Sequence, residues 1–169
     1  MNCERIKKMA DALVKKTGSR NPFVIADENS IFIRYINDFK TLKGMYTVIK
    51  RCRFIFINAN LPEEVQRVVC AHEIGHDMLH REMAQMGAIS ETSLFDTKNS
   101  FEFEANVFAA ELLIDDNMAI SMAREGMSIG NIASSLFVDP KIVEIKFLSL
   151  GRRGHKIGKI PFGIKQMIS

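Results

Sequence analysis

A chain of 169 residues that is 47% hydrophobic and 25% charged has the size and composition of one compact globular unit, long enough to surround a site with a dry core, and disorder is not expected. Its formal net charge of +3, with lysine and arginine spread widely, requires neither a nucleic-acid nor an anionic-membrane partner. The three cysteines, Cys3, Cys52 and Cys70, are odd in number and form no Cys-x-x-Cys pair, which argues against a disulfide framework; with no visible export signal and no apolar run near ~18 residues, a cytoplasmic, non-membrane protein is expected.

Ile6, Met9, Ala10, Leu13 and Val14 recur at helical spacing and Gly18 closes the pattern, so the chain opens with an amphipathic helix whose outer face carries Lys7, Lys8, Lys15 and Lys16. Asn21-Pro22 supplies a cap and a first-turn proline for a second, short helix through about Ala26. Ile31 to Ile36, Met45 to Lys50 and Arg53 to Asn58 are rich in β-branched and aromatic residues and read as three strands. The last two, separated by Arg51 and Cys52, read as an antiparallel hairpin entered through Gly44. The fold class is therefore α+β, with a small antiparallel sheet of about three strands. Its edge either holds an extended peptide by strand addition or is simply covered.

Asn60-Leu61-Pro62-Glu63-Glu64 carries helix-start chemistry, and the helix is expected to run to about His80 or Arg81. It contains His72-Glu73-Ile74-Gly75-His76. At about 100° per residue, His72 and His76 fall within one stripe with Val65, Val69 and Leu79, so two imidazoles emerge from a buried surface. Four residues apart, both rings can bind one metal ion, and Glu73 can reach water at the metal's open position. The plain alternative is two packed histidines and a chance glutamate; a third ligand decides between them.

Glu82 to Asn99 shows no clear period and reads as a long connection, in which Thr92 to Phe95 forms a short strand or a lip facing substrate. From Phe101 a second strong helix runs to near Ile114, on the stripe Phe101, Ala105, Phe108, Ala109, Leu112. Asp115 and Asp116 then start a segment closed by Gly126, and Ser128 and Asp139-Pro140 cap two further helices, to Phe137 and to Leu150. The basic tail, 151–169, with Arg152, Arg153, Lys156 and Lys159, is expected to be extended or mobile.

A catalytic zinc takes about three protein ligands plus water. His80 cannot share an ion with His72, being eight residues and roughly 12 Å further along the helix; it either packs or supports a ligand from behind. Of the acidic candidates, Glu102 projects toward the buried side, whereas Glu104 and Glu111 fall near the polar margin. Glu102 is the expected third ligand, against a capping role with Asn99. Asn106, four positions on, faces the same site and is placed to hydrogen-bond a ligating histidine.

Cys70-Ala71-His72-Glu73-Ile74-Gly75-His76 with His80 following, and Glu102-x-x-Ala105-Asn106-x-Phe108-Ala109-Ala110-Glu111-Leu112-Leu113, closely resemble the paired motifs of the ImmA/IrrE family of metallopeptidases. The likeness covers most of the chain, including Asn21-Pro22 and the hairpin. It implies a zincin-like core (1–114) with the sheet packed on the His-Glu-x-x-His helix, and a helical C-terminal part (115–150). It also implies a zinc-dependent endopeptidase whose substrate is a separate repressor of a mobile element, prophage or stress genes. Glu102 and Asn106 are similar to the Glu-x-x-x-Asp of gluzincins, with Asn in place of Asp. Two histidines and a carboxylate also accommodate manganese or iron. The alternative is a non-catalytic module that sequesters a regulator. The helices of 128–150 have helix-turn-helix spacing, but the second offers only Lys141, Glu144 and Lys146 as charged groups, poor equipment for a major groove, and no direct nucleic-acid partner is expected for the chain. They are expected to dock the substrate through an exposed face bearing Lys141 and Lys146.

Overall fold

The computed structural model describes residues 2–86, 89–91 and 99–156. Helix α1 (Cys3–Thr17) starts on Asn2, whose side chain accepts from the Arg5 amide, and stops at Gly18 in the left-handed region. Its buried stripe is Cys3, Ile6, Ala10 and Leu13. Asn21 caps α2 (Pro22–Glu28). Strands β1 (Ile31–Ile36), β2 (Gly44–Ile49) and β3 (Cys52–Asn58) follow. The hairpin turn is Lys50-Arg51, one residue earlier than the sequence suggests, with φ of 49° and 67°. Two consecutive positive φ values match the twist of a tight hairpin, and here two basic residues supply them instead of Asn-Gly.

Then come α3 (Glu63–Leu79), α4 (Arg81–Met86), β4 (Ile89–Glu91), α5 (Ser100–Leu113), α6 (Asp116–Arg124), α7 (Ile129–Leu136) and α8 (Pro140–Arg152). Asn99, Asp115, Ser128 and Asp139 each cap the next helix by accepting from its first-turn amides.

The sheet is mixed, in the order β1-β3-β2-β4. β2 runs antiparallel to β3 and to β4, but β1 runs parallel to β3, which corrects the expectation of an all-antiparallel sheet. The link 37–43 is long enough to step across a strand position, each about 4.8 Å wide, and β3 returns into the gap. Asn58, at the end of β3, fastens that link by donating from Nδ2 to the carbonyls of Phe39 and Leu42, both at 3.0 Å. The segment expected to be one long irregular connection also holds α4 and the strand β4 paired to β2. Pairing to a waiting edge, a tertiary effect, makes a strand where local periodicity is weak. Thr92 to Phe95 lie outside the described residues.

One face of the sheet presents Ile31, Tyr46, Ile55 and Ile57, all buried, to α2 and α3. Behind α3 lies α5, which packs in turn on α1 and α8. Residues of α6, α7 and α8, among them Ala119, Ile132, Ile142 and Phe147, share one apolar cluster with Ile74, Phe108 and Leu112. Gly151 and Arg152 continue α8, and Arg153 is tied into the interior, so the start of the basic segment is ordered rather than extended; residues 157–169 lie outside the described part. Among the described residues, no helix is long and apolar enough to cross a membrane.

Candidate metal centre

Helix α3 gains little from its ends: Pro62 makes no side-chain cap bond, and only Glu63 and Glu64 favour the dipole there. Its stability comes from burial of the continuous run Val68 to Asp77. The close approach of α5 is set at Gly75, where an added Cβ would lie 3.1 Å from both Cα and O of Ala105. A glycine mid-helix costs roughly 1 kcal/mol against alanine, and here it lets two backbones touch. That crossing places Glu102, one turn before Ala105, over the histidine rings.

The result is a tight triangle. His72 Nε2 and His76 Nε2 are 3.0 Å apart, and Glu102 Oε2 lies 3.2 Å from the first and 3.4 Å from the second. The tautomers follow from what stands behind the rings. His72 Nδ1 donates to Asn106 Oδ1 at 2.9 Å. His80 Nε2 donates to Glu104 Oε2 at 3.3 Å, which leaves His80 Nδ1 to accept from His76 Nδ1 at 3.0 Å. Both Nδ1 atoms thus carry the protons, and both Nε2 lone pairs point into the space that Glu102 also faces. Three acceptors directed at one another across 3.0–3.4 Å repel, and a cation between them removes that repulsion. Ligands about 2.0–2.2 Å from a tetrahedral ion stand roughly 3.3–3.6 Å apart, close to these separations, so the donor set fits a first-row divalent metal. Among the described residues this is the grouping of His, Cys, Asp and Glu that can hold one.

Electrostatics keep the rings ready. Burial lowers the His76 pKa to about 4, against the pull of the Glu102 hydrogen bond. Burial also lowers His80, partly offset by Glu104. Both are therefore neutral near pH 7, as metal ligation and its support require. Cys70, fully buried one turn before Glu73, has its thiol pushed up by burial and by the Glu73 charge, so it stays protonated.

Glu73 is fully buried and lies against the first residue of β2. A Cβ built on Gly44 would fall 2.5 Å from Glu73 Oε1 and 2.4 Å from Val69 Cγ1. Glycine is thus required there for close approach, whereas the sequence suggests only a turn. A second feature not legible beforehand is the anchor behind His76. Asp77 accepts from Tyr46 Oη at 2.5 Å, from Arg53 at 3.0 Å and from Arg81 at 2.8 and 3.1 Å, bolting α3 to β2, β3 and α4. The alternation that turns Tyr46 inward is its only trace in the sequence.

Two expectations need correction. Glu111 is not on a polar margin: it is fully buried, 2.6 Å from Lys146 Nζ. Lys146 is likewise not on an exposed docking face, but fully buried between Glu111 and Asp116, because α8 lies on the side of α5 that would otherwise be polar. Lys141 remains at the surface, paired with Glu144 at 2.8 Å.

A two-histidine helix laid on a mixed sheet, with a carboxylate donor brought in by the next long helix, has the arrangement expected of a metallopeptidase centre. The sequence profile of the peptidase M78 family, described as the IrrE N-terminal-like domain, matches residues 26–147, and the chain belongs to that family. It is 33% identical to uncharacterized immunity region protein 2 of Bacillus phage phi105 over 144 residues, 85% of this chain and 90% of the relative. It is 27% identical to metallopeptidase ImmA of Bacillus subtilis strain 168 over 154 residues, 90% and 89% of the two chains.

Proposed function

We propose that the protein is a zinc-dependent endopeptidase that cuts a separate regulatory protein, a repressor that keeps a mobile element or prophage silent. The observation that carries this reading is the convergence of three acceptors, His72, His76 and Glu102, beside the buried carboxylate of Glu73. Family membership supports peptidase activity, and the names of the two relatives, an immunity region protein and a metallopeptidase, support a substrate tied to phage immunity.

When bound, the metal lowers the pKa of the attacking water and polarises the scissile carbonyl. The chain's own groups do the rest. Asn106 and the His80–Glu104 pair hold the two imidazoles in the Nδ1-protonated form. Glu73, the residue after the first ligand, takes a proton from the water and returns it to the leaving amine. Gly44 keeps the space that lets Glu73 reach that position, and burial of the site strengthens each of these interactions.

The test is incubation of the purified protein with the repressor encoded beside its gene, followed by intact-mass spectrometry. Two fragments whose masses sum to the repressor plus one water are expected. Intact repressor in a stable complex would instead favour a non-catalytic module that sequesters its regulator, although a purely structural zinc is normally closed by four protein ligands. Elemental analysis of protein purified without added metal distinguishes zinc from manganese or iron.

A further inference from the structure

The sheet face turned away from α3 carries a second surface that the metal centre does not use. The register places Phe32 beside Phe54 and Arg34 beside Phe56 on neighbouring strands, so Phe32, Arg34, Phe54 and Phe56 share that outer face. Phe32 is 45% exposed, Arg34 is exposed, and Phe54 and Phe56 are partly buried. The rings form a row: Phe32 and Phe54 centroids are 5.4 Å apart at 32°, and Phe54 and Phe56 are 6.1 Å apart at 22°. The Arg34 guanidinium stands 6.0 Å from the centre of the Phe32 ring.

Around this row the charge is one-sided. Residues 31–58 contain Arg34, Lys40, Lys43, Lys50, Arg51 and Arg53 against a single acid, Asp38. Arg53 turns inward to Asp77. Among the described residues none of the other five lies within ion-pair distance of a carboxylate. The net charge of +3 for the whole chain conceals this local excess. Lys50 and Arg51 form the hairpin turn at one end of the ring row, and Lys40 and Lys43 lie in the link at the other.

We propose that this face is a binding site for single-stranded nucleic acid. The Phe32 ring on β1 and the neighbouring Phe54 and Phe56 rings on β3 offer stacking surfaces for two or three unpaired bases, and the cations at both ends are placed for the phosphates between them. A protein partner fits less well, because lysine is depleted from the cores of protein interfaces. A duplex fits less well too, since its base faces are already stacked. The proposal is independent of the metal centre, which lies across the sheet.

Fluorescence anisotropy with a labelled oligothymidylate of about 20 nucleotides tests it, at about 50 mM salt where phosphate contacts are weakly screened. The full-length protein should bind, with affinity falling as salt rises, and at least about tenfold more tightly than it binds a duplex of the same length. Phe32→Ser should weaken single-strand binding by about fivefold or more through lost stacking, and Lys50→Ser/Arg51→Ser should flatten the salt dependence. Phe32 and the turn are at the surface, so circular dichroism and melting should match the parent. Should Phe32→Ser fail to fold, Arg34→Ser serves as the stacking-edge variant. No binding at about 100 µM protein overturns the proposal, as does equal binding of duplex unaffected by Phe32→Ser, which is diffuse electrostatics only. Self-association abolished by Phe32→Ser would also overturn it, assigning the face to contact between copies.

Discussion

His72 and His76 can act as a ligand pair only while their Nδ1 atoms hold the protons, a form favoured by the contacts of Asn106 with His72 and of the His80–Glu104 pair with His76. Asn106→Ala removes the acceptor from His72 without touching the donor set, so metal affinity should fall about 10–100-fold, measured by competition with a chelator. Gly44→Ala acts on the other partner. Its methyl group would occupy the position now 2.5 Å from Glu73 Oε1, so cleavage should drop at least about tenfold while metal content is unchanged, because a small misplacement of a catalytic group is costly. The convergence of His72, His76 and Glu102 was legible in the sequence because a helix of 3.6 residues per turn converts spacing into direction. Glu102 was separable from Glu104 by that same angle. Glu111 was not, since its direction was right but the helix that covers it, α8, is distant in sequence.

At the level of elements, α5, α6 and α8 are joined by a buried set of four charges. Lys146 Nζ lies 2.6 Å from Glu111 and 2.5 Å from Asp116, and Arg153 lies 2.7 Å from Asp116 and 3.3 Å from Glu111. Lys146→Met leaves Glu111 buried beside one cation rather than two and should cost about 3–5 kcal/mol, measured by urea denaturation. Lys141→Ala, at the surface, should change stability by well under about 1 kcal/mol. The set also predicts an acid limit. Burial alone would raise the Asp116 pKa, but hydrogen bonds from Arg153 and Lys146 outweigh it and hold the carboxyl far below its ordinary 3.8. A carboxylate depressed on folding contributes stability fully above its unfolded value and loses it as pH falls toward the folded one. Denaturation midpoints should therefore fall steadily below about pH 4. In Asp116→Asn that part of the slope should be missing. Helix ends were readable because Asn, Ser and Asp caps are local chemistry. Strand order was not, since the parallel pairing of β1 with β3 is set by which strand fills a gap.

For the molecule as a whole, the helices expected to form a separate docking platform share their apolar cluster with the helices that carry His72, His76 and Glu102, and the lysine chosen to mark that platform is an interior ion-pair partner. A pattern of apolar residues says that a face is buried, not against what. The paired motifs, by contrast, told the family because each is short and their combination is specific. The central claim is that three residues hold a metal while a fourth, Glu73, moves the proton, and Glu73→Gln separates these roles with almost no change in shape. Metal content by mass spectrometry and repressor cleavage should be measured on the same preparation. The account predicts about one metal per chain, as in the parent, with cleavage reduced by about a hundredfold or more, as loss of a general base implies. Cleavage at the parental rate with metal in place would contradict it.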